Sequence, residues 1–419
     1  MKKSLLTIII CLISLFAISQ SQPVPKEVAD FKNYTAQLEN ARRAATEKKD
    51  YVTAGNLCAE WIAKYEHATP VIIQNFKGLN PGMYYNLACY VNLQGKKEEA
   101  LAALEKSVSL GYSNYANTKV DTDLENLHDN KRFKAALNTM RERGDMGYIL
   151  AKSGGYNSKM PIASPVFSYQ SASAPELVAL KNRFNLDSVA GTKDEISKFK
   201  NLLYWVHNQV RHDGNSNNPL SRNAVDLIAV CKKENRGLNC RGLATTLNEC
   251  YLSLGFKSRF VTCLPKDSLG IDQDCHVINI VYVPSLKKWV WVDPTFDTYV
   301  MNEKGELLSI EEVRQRIIDN DPLIISPDAN WNHRSSETKE HYLFYYMAKN
   351  LYRLECPLNS AYDIETTANG KNIEYIQLLP LDYFKQPART AWTNRYTKTS
   401  YTDYYTNNPA YFWQAPENN

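Results

Sequence analysis

The sequence has no C-x-x-C pair, no G-x-x-x-x-G-K-[ST] loop, no G-x-S-x-G elbow and no H-E-x-x-H helix. A zinc ribbon or redox dithiol, a phosphate-binding loop, a serine-hydrolase nucleophile and a zincin site therefore find no support. Charge is not pooled either. The net charge of +4 over 419 residues is spread along the chain, which argues against the clustered basic face of a nucleic-acid groove. Low-complexity tracts are missing, and beyond residue 18 no apolar run is long enough to span a bilayer. No cofactor and no metal site is implied. What is present is an apolar content of 44%, enough for real cores in a chain whose length suggests two or three domains.

The N-terminus has the pattern of a leader. Lys2 and Lys3 precede an apolar run from Leu5 to Ile18, and Ala17, Ser19 and Ser21 offer small residues for cleavage. Residues 1–21 read as a signal peptide, so the mature chain is expected to be secreted or periplasmic, with no membrane span after cleavage. Eight cysteines follow: Cys58, Cys89, Cys231, Cys240, Cys250, Cys263, Cys275 and Cys356. Export makes disulfides the default, yet their spacing is irregular, and Cys58, Cys89 and Cys250 fall in helical patterns where a buried thiol is ordinary. Cys263 and Cys275 could pair across a short loop.

Residues 27–143 read as helices only. Tyr84, Leu87 and Ala88, a turn at Gly95, then Ala100, Leu101 and Leu104 resemble one helix–turn–helix unit of a tetratricopeptide array. That resemblance implies a surface for a protein partner; a helical spacer is the plain alternative. Residues 144–173, rich in Gly, Ser, Pro and Ala, read as a linker with one short strand.

A second domain is expected over 174–335. Asp194 to Arg211 has a buried helical stripe of Phe199, Leu202, Leu203, Val206 and Val210. From Cys240 the stripe is Leu243, Leu247, Tyr251 and Leu254, ended by Gly255. Cys240 thus occupies the first turn of a helix, where free N–H groups and the dipole favour a thiolate and can later hold an oxyanion. Strands follow at 257–263, 276–283 and 289–293. The last two form a hairpin in which His276 and Asp293 share a face. If Val283 opposes Leu286, His276 falls opposite Asp293. A cysteine, a histidine and an aspartate in that order are a thiol nucleophile, its base and the group that orients the base.

Asn239-Cys240-Arg241-Gly242-Leu243-Ala244, Leu254 to Val261, Cys275-His276-Val277 and Trp289 to Thr295 together resemble the transglutaminase-like superfamily of papain-like folds. The resemblance implies an α+β fold with an antiparallel sheet and catalysis by Cys240, His276 and Asp293. Trp205 stands where some members supply an oxyanion donor, although an indole in a helix stripe is more often core. Where many members have His-Ala-Trp, this chain has His276-Val277-Ile278. Of the other histidines, His207 lies in a helix and His212 in a polar loop, and neither has matching partners. Asp272 and Asp274 lack the spacing of a calcium loop and read as solvated. The aromatic tail, 336–419, reads as an extension packed on the second domain, with a helix over 341–351 and a strand over 373–379. The expected activity is that of an exported cysteine peptidase, amidase or acyl transferase acting on a peptide or protein substrate, with hydrolysis favoured because no amine site is visible. The rival is a non-catalytic envelope scaffold that binds its partner through the helical repeat.

Overall fold

The computed structural model describes residues 25–159, 165–216, 218–266, 275–387 and 389–417. The expected leader, Cys11, Asp272 and Asp274 lie outside the described residues. Two compact units divide at Met140 and Arg141.

The first unit is helical throughout: Lys26–Glu47, Tyr51–Glu66, Pro70–Phe76, Asn80–Leu93, Lys97–Ser109 and the start of Lys131–Gly144 are its longer helices. Local chemistry sets their starts. Asp50 accepts from Thr53 N, and Thr69 accepts from Ile72 N with Pro70 at the first helical position. The Phe31 ring meets Trp61 edge-on and Phe76 at a tilt in one core. Ala88, Ala100, Leu101 and Leu104 are fully buried in the next, as small residues allow where two helices press together. Gly95 takes φ +82° at the turn between them, a conformation that costs a glycine little.

The second unit is built on one nine-stranded sheet. Its spatial order is Arg389–Thr393, Ser400–Thr406, Asn372–Leu378, Arg353–Pro357, Ser258–Leu264, His276–Val283, Lys288–Asp293, Thr298–Met301 and Ile324–Ile325. Asn372–Leu378 and Ser400–Thr406 run parallel; the other neighbours are antiparallel. The sheet is therefore mixed rather than purely antiparallel. Four of its strands come from the aromatic tail, which is part of the sheet rather than a layer laid on the domain. Cys263 pairs with Leu354 at the seam.

Strand alternation explains why the middle of the sheet is buried on both faces. Ile278, Ile280 and Trp291 pack with Tyr342, Leu354 and Phe412 on one side. Val281, Val283, Val290 and Val292 pack with Leu202, Leu247 and Tyr251 on the other. The described parts of the segment read as a linker are also integrated. Met146–Ala151 is helical, Ser168–Tyr169 pairs with Asn359–Ser360, and Leu150 and Phe167 sit in the first of these cores. No helix among the described residues is long and apolar enough to cross a membrane.

Candidate active site

Cys240 opens the helix Cys240–Ser253, capped by Asn239, whose side chain accepts from Gly242 N at 3.1 Å. Every residue from Gly242 to Ser253 is buried, so the helix is held from all sides. Asn279 Nδ2 donates to Ala244 O at 2.9 Å, and Glu249 accepts from the backbone N–H of Ala224 and Asp363 at 2.7 and 2.8 Å. Two glycines allow the close packing at its start. A Cβ on Gly242 would lie 2.8 Å from Asn218 Oδ1, and one on Gly237 would lie 2.6 Å from Asp213 Cβ and 2.7 Å from Arg211 O.

His276 and Asp293 meet as expected: His276 Nε2 lies 2.7 Å from Asp293 Oδ2, and both residues are fully buried. The register differs from the expected one. Val283 opposes Lys288, so the turn takes four residues, with Lys287 at φ +52°. The histidine and the aspartate are thus diagonal neighbours on one face rather than directly opposed, still within side-chain reach. Asp293 also accepts from Tyr342 Oη at 2.6 Å and from Thr295 N at 2.8 Å. Burial works against its charge, but His276 and these donors outweigh burial and hold its carboxyl below the usual range.

With Nε2 on the carboxylate, His276 has Nδ1 left for Cys240, with Tyr346 Oη 3.3 Å from the same nitrogen. Alternation puts His276 and Asp293 on the face away from Phe260 and Val277, the residues on which Cys240 packs. The contact is therefore made around the end of the strand, which is possible because His276 is its first residue. Burial disfavours the imidazolium, yet Asp293 and Cys240 raise the His276 ring to about 10. Burial likewise disfavours the thiolate, but hydrogen bonds from His212 and His276 and the Val277 N–H bring the Cys240 thiol down to about 6. The two shifts describe one thiolate–imidazolium pair.

His212 is the member that sequence reasoning passed over. Its backbone forms a parallel bridge with Leu238, with Asp213 N to Leu238 O at 2.7 Å and Leu238 N to Arg211 O at 3.1 Å. The Asn332 side chain brackets it, accepting from His212 N at 2.7 Å and donating to His212 O at 2.9 Å. Trp331 Nε1 donates to His212 Nδ1 at 3.1 Å. Nδ1 is thereby an acceptor, and the ring proton sits on Nε2. Trp205, expected as the oxyanion donor, instead packs on Phe184 with ring centroids 5.4 Å apart, among apolar residues. The one sequence signal for His212 is its place seven residues further on, next to a glycine loop that must return to the cysteine.

The eight described cysteines form no disulfide with one another, and among them only Cys240 and Cys275 have partial solvent access. One group of possible metal ligands occurs among the described residues, Cys89, Asp121 and Asp123 in the helical unit. Asp121 already accepts from Tyr85 Oη at 2.6 Å and Asp123 N at 3.0 Å, which gives the group a structural role.

Residues 182–294 match the model of the transglutaminase-like superfamily, so a transglutaminase-like domain occupies that span. No curated protein matches the chain by sequence. A solved chain from Cytophaga hutchinsonii, described as a candidate cysteine protease, is similar at 16% identity and a TM-score of 0.22, over 36% of this chain and 46% of that one. The match thus spans just under half of that protein's length. At family level the superfamily match points to a cysteine-dependent enzyme.

Proposed function

We propose that the chain is an exported cysteine-dependent enzyme of amide bonds, with Cys240 as nucleophile, His276 as proton carrier and Asp293 as its orienting carboxylate. The observation that carries this reading is the His276 ring. One nitrogen lies on a buried carboxylate, and the other faces a thiol at a helix N-terminus. The Cys240 thiolate attacks the carbonyl carbon, a C–S bond forms, and negative charge moves to the carbonyl oxygen. The His212 Nε2–H and the N–H groups of the first helical turn are the donors for that charge. His276 Nδ1 then gives its proton to the leaving nitrogen, the C–N bond breaks and a thioester remains. Water, deprotonated by the same nitrogen, attacks the thioester and releases the acid. An amine in place of water would make the reaction acyl transfer; hydrolysis is favoured because water is the default acceptor. Export rests on the residues 1–21 pattern, and a peptide or protein substrate on the domain match.

The test is site-resolved alkylation. Iodoacetamide at pH 7, followed by mass spectrometry, is expected to modify Cys240 at least about tenfold faster than Cys275, the other partly accessible thiol. Equal rates at the two would overturn the reading. The helical unit is read as a surface for a protein partner in the manner of a tetratricopeptide repeat. Val52, Val71, Leu79 and Val120 are exposed on it.

A further inference from the structure

A cavity of about 250 Å³ is lined by Arg222, Arg241, Glu355, Glu365, Tyr375, Trp392, Tyr401 and Asp403. Register places Tyr375, Asp403 and Thr390 side by side, and Trp392 beside Tyr401, along one face of the tail strands. That face continues toward the nucleophile: Arg241 follows Cys240 in its helix, and Tyr375 and Cys240 pack on the same cluster of Ala244, Phe260, Val277 and Ile364.

The charges on its wall do not cancel. Both guanidinium groups are engaged by one carboxylate: Arg241 Nη1 lies 2.9 Å from Glu365 Oε1 and Arg222 Nη1 3.5 Å from Glu365 Oε2, while Tyr375 Oη donates to the same group. Arg241 Nη2 donates to Thr262 Oγ1 at 2.9 Å and comes only within 3.8 Å of Glu355. Glu355 accepts from the Gln377 amide at 2.9 Å, and Asp403 has the Thr390 hydroxyl against it. Burial pushes both of these carboxyls up, the condition in which an added cation gains most. The outer wall is aromatic. The Trp392 and Tyr401 rings stack at 4.4 Å and 14°, and Trp392 is 53% exposed. Three carboxylates, Glu355, Glu365 and Asp403, face two guanidinium groups, Arg222 and Arg241, and a ring face beside that excess of negative charge favours a cation over an anion or an apolar group.

We propose that this cavity is a subsite for a primary ammonium group of the peptide on which Cys240 acts, either a lysine side chain or a free amino terminus. The assignment of a substrate peptide rests on the reading of Cys240 as nucleophile; the binding chemistry does not.

The full-length Cys240→Ala protein is titrated with three peptide amides: acetyl-Ala-Lys-Ala, H-Ala-Ala-Ala and acetyl-Ala-norleucine-Ala. At least one ammonium peptide is expected to bind about tenfold tighter than the neutral one, and which of the two does so identifies the source of the ammonium. Asp403→Asn with Glu355→Gln should bring that preference below about twofold. Trp392→Ala, on the exposed edge strand, should weaken it about threefold. Equal binding of all three peptides, or a tenfold preference that survives undiminished in either variant, overturns the subsite. Alkylation of Cys240 in the parent protein, beside peptide binding to Cys240→Ala, separates the two questions. Fast alkylation with no ammonium preference sinks the subsite alone. Slow alkylation in the parent protein sinks the enzyme while leaving the binding result standing.

Discussion

Two thiols flank the same imidazole from opposite sides, and they have opposite properties. Cys263 is the direct cross-strand partner of His276. Cys240 lies far away in sequence, on a helix that approaches the end of the strand. Burial, with Asp293 and Cys275 adding negative charge, pushes the Cys263 thiol well above the usual range, whereas His212, His276 and the Val277 N–H pull Cys240 down. Cys263 is fully buried in apolar packing and meets carboxylate and sulfur; Cys240 meets donors. Closeness to a histidine therefore does not by itself favour a thiolate. Donors aimed at the sulfur do, and the fold supplies them on the helix side only.

Removing the carboxylate should damage the helix side most. Asp293→Asn is expected to lower kcat about 10²- to 10⁴-fold, because the amide leaves His276 in the wrong tautomer. Steady-state kinetics on a cleaved amide checks this, and a loss below tenfold would show that Tyr342 and Tyr346 suffice to orient the ring. His212→Ala is expected to cost about 10²-fold in kcat, as for one oxyanion donor. It should also move the acid limb of the Cys240 alkylation profile upward from about 6. The sign follows from a donor hydrogen bond that favours the thiolate: without it, more alkaline conditions are needed to reach the same thiolate fraction. A rate loss with no movement of that limb would confine His212 to the oxyanion. The smallest effect belongs to the other thiol. Cys263→Ala should change kcat/KM less than about twofold and lower stability by ~1 kcal/mol, read as a drop of a few degrees in Tm.

The residues Cys240, His276 and Asp293 were legible because each carries a local signature: a helix start, a strand start and a strand end before Pro294. The hairpin register was not, because turn length depends on whether Lys287 accepts a positive φ, and no residue pattern there demands it. His212 was hidden for a different reason. Its role depends on Trp331 and Asn332, which lie some 120 residues away, and on Gly237, whose missing Cβ admits the loop. Trp205 had the expected spacing but lies among apolar neighbours. Composition misled over 144–173, since Gly and Ser content says nothing of Leu150 and Phe167, which are the residues that dock. The tail strands could be found singly, as 373–379 was. Their membership in the main sheet depends on the pairing of Leu354 with Cys263, a contact between sequences that carry no mark of each other.

The segment Glu340–Met347 is wound as a π-helix, wider by about one residue per turn than its α counterpart. Tyr342 and Tyr346 reach Asp293 and His276 from its one side. Shortening this segment by a single residue would tighten the coil and swing one hydroxyl away while leaving the other in place. Natural variation in the length of this coil would then be a way to tune the His276 ring without altering Cys240, His276 or Asp293.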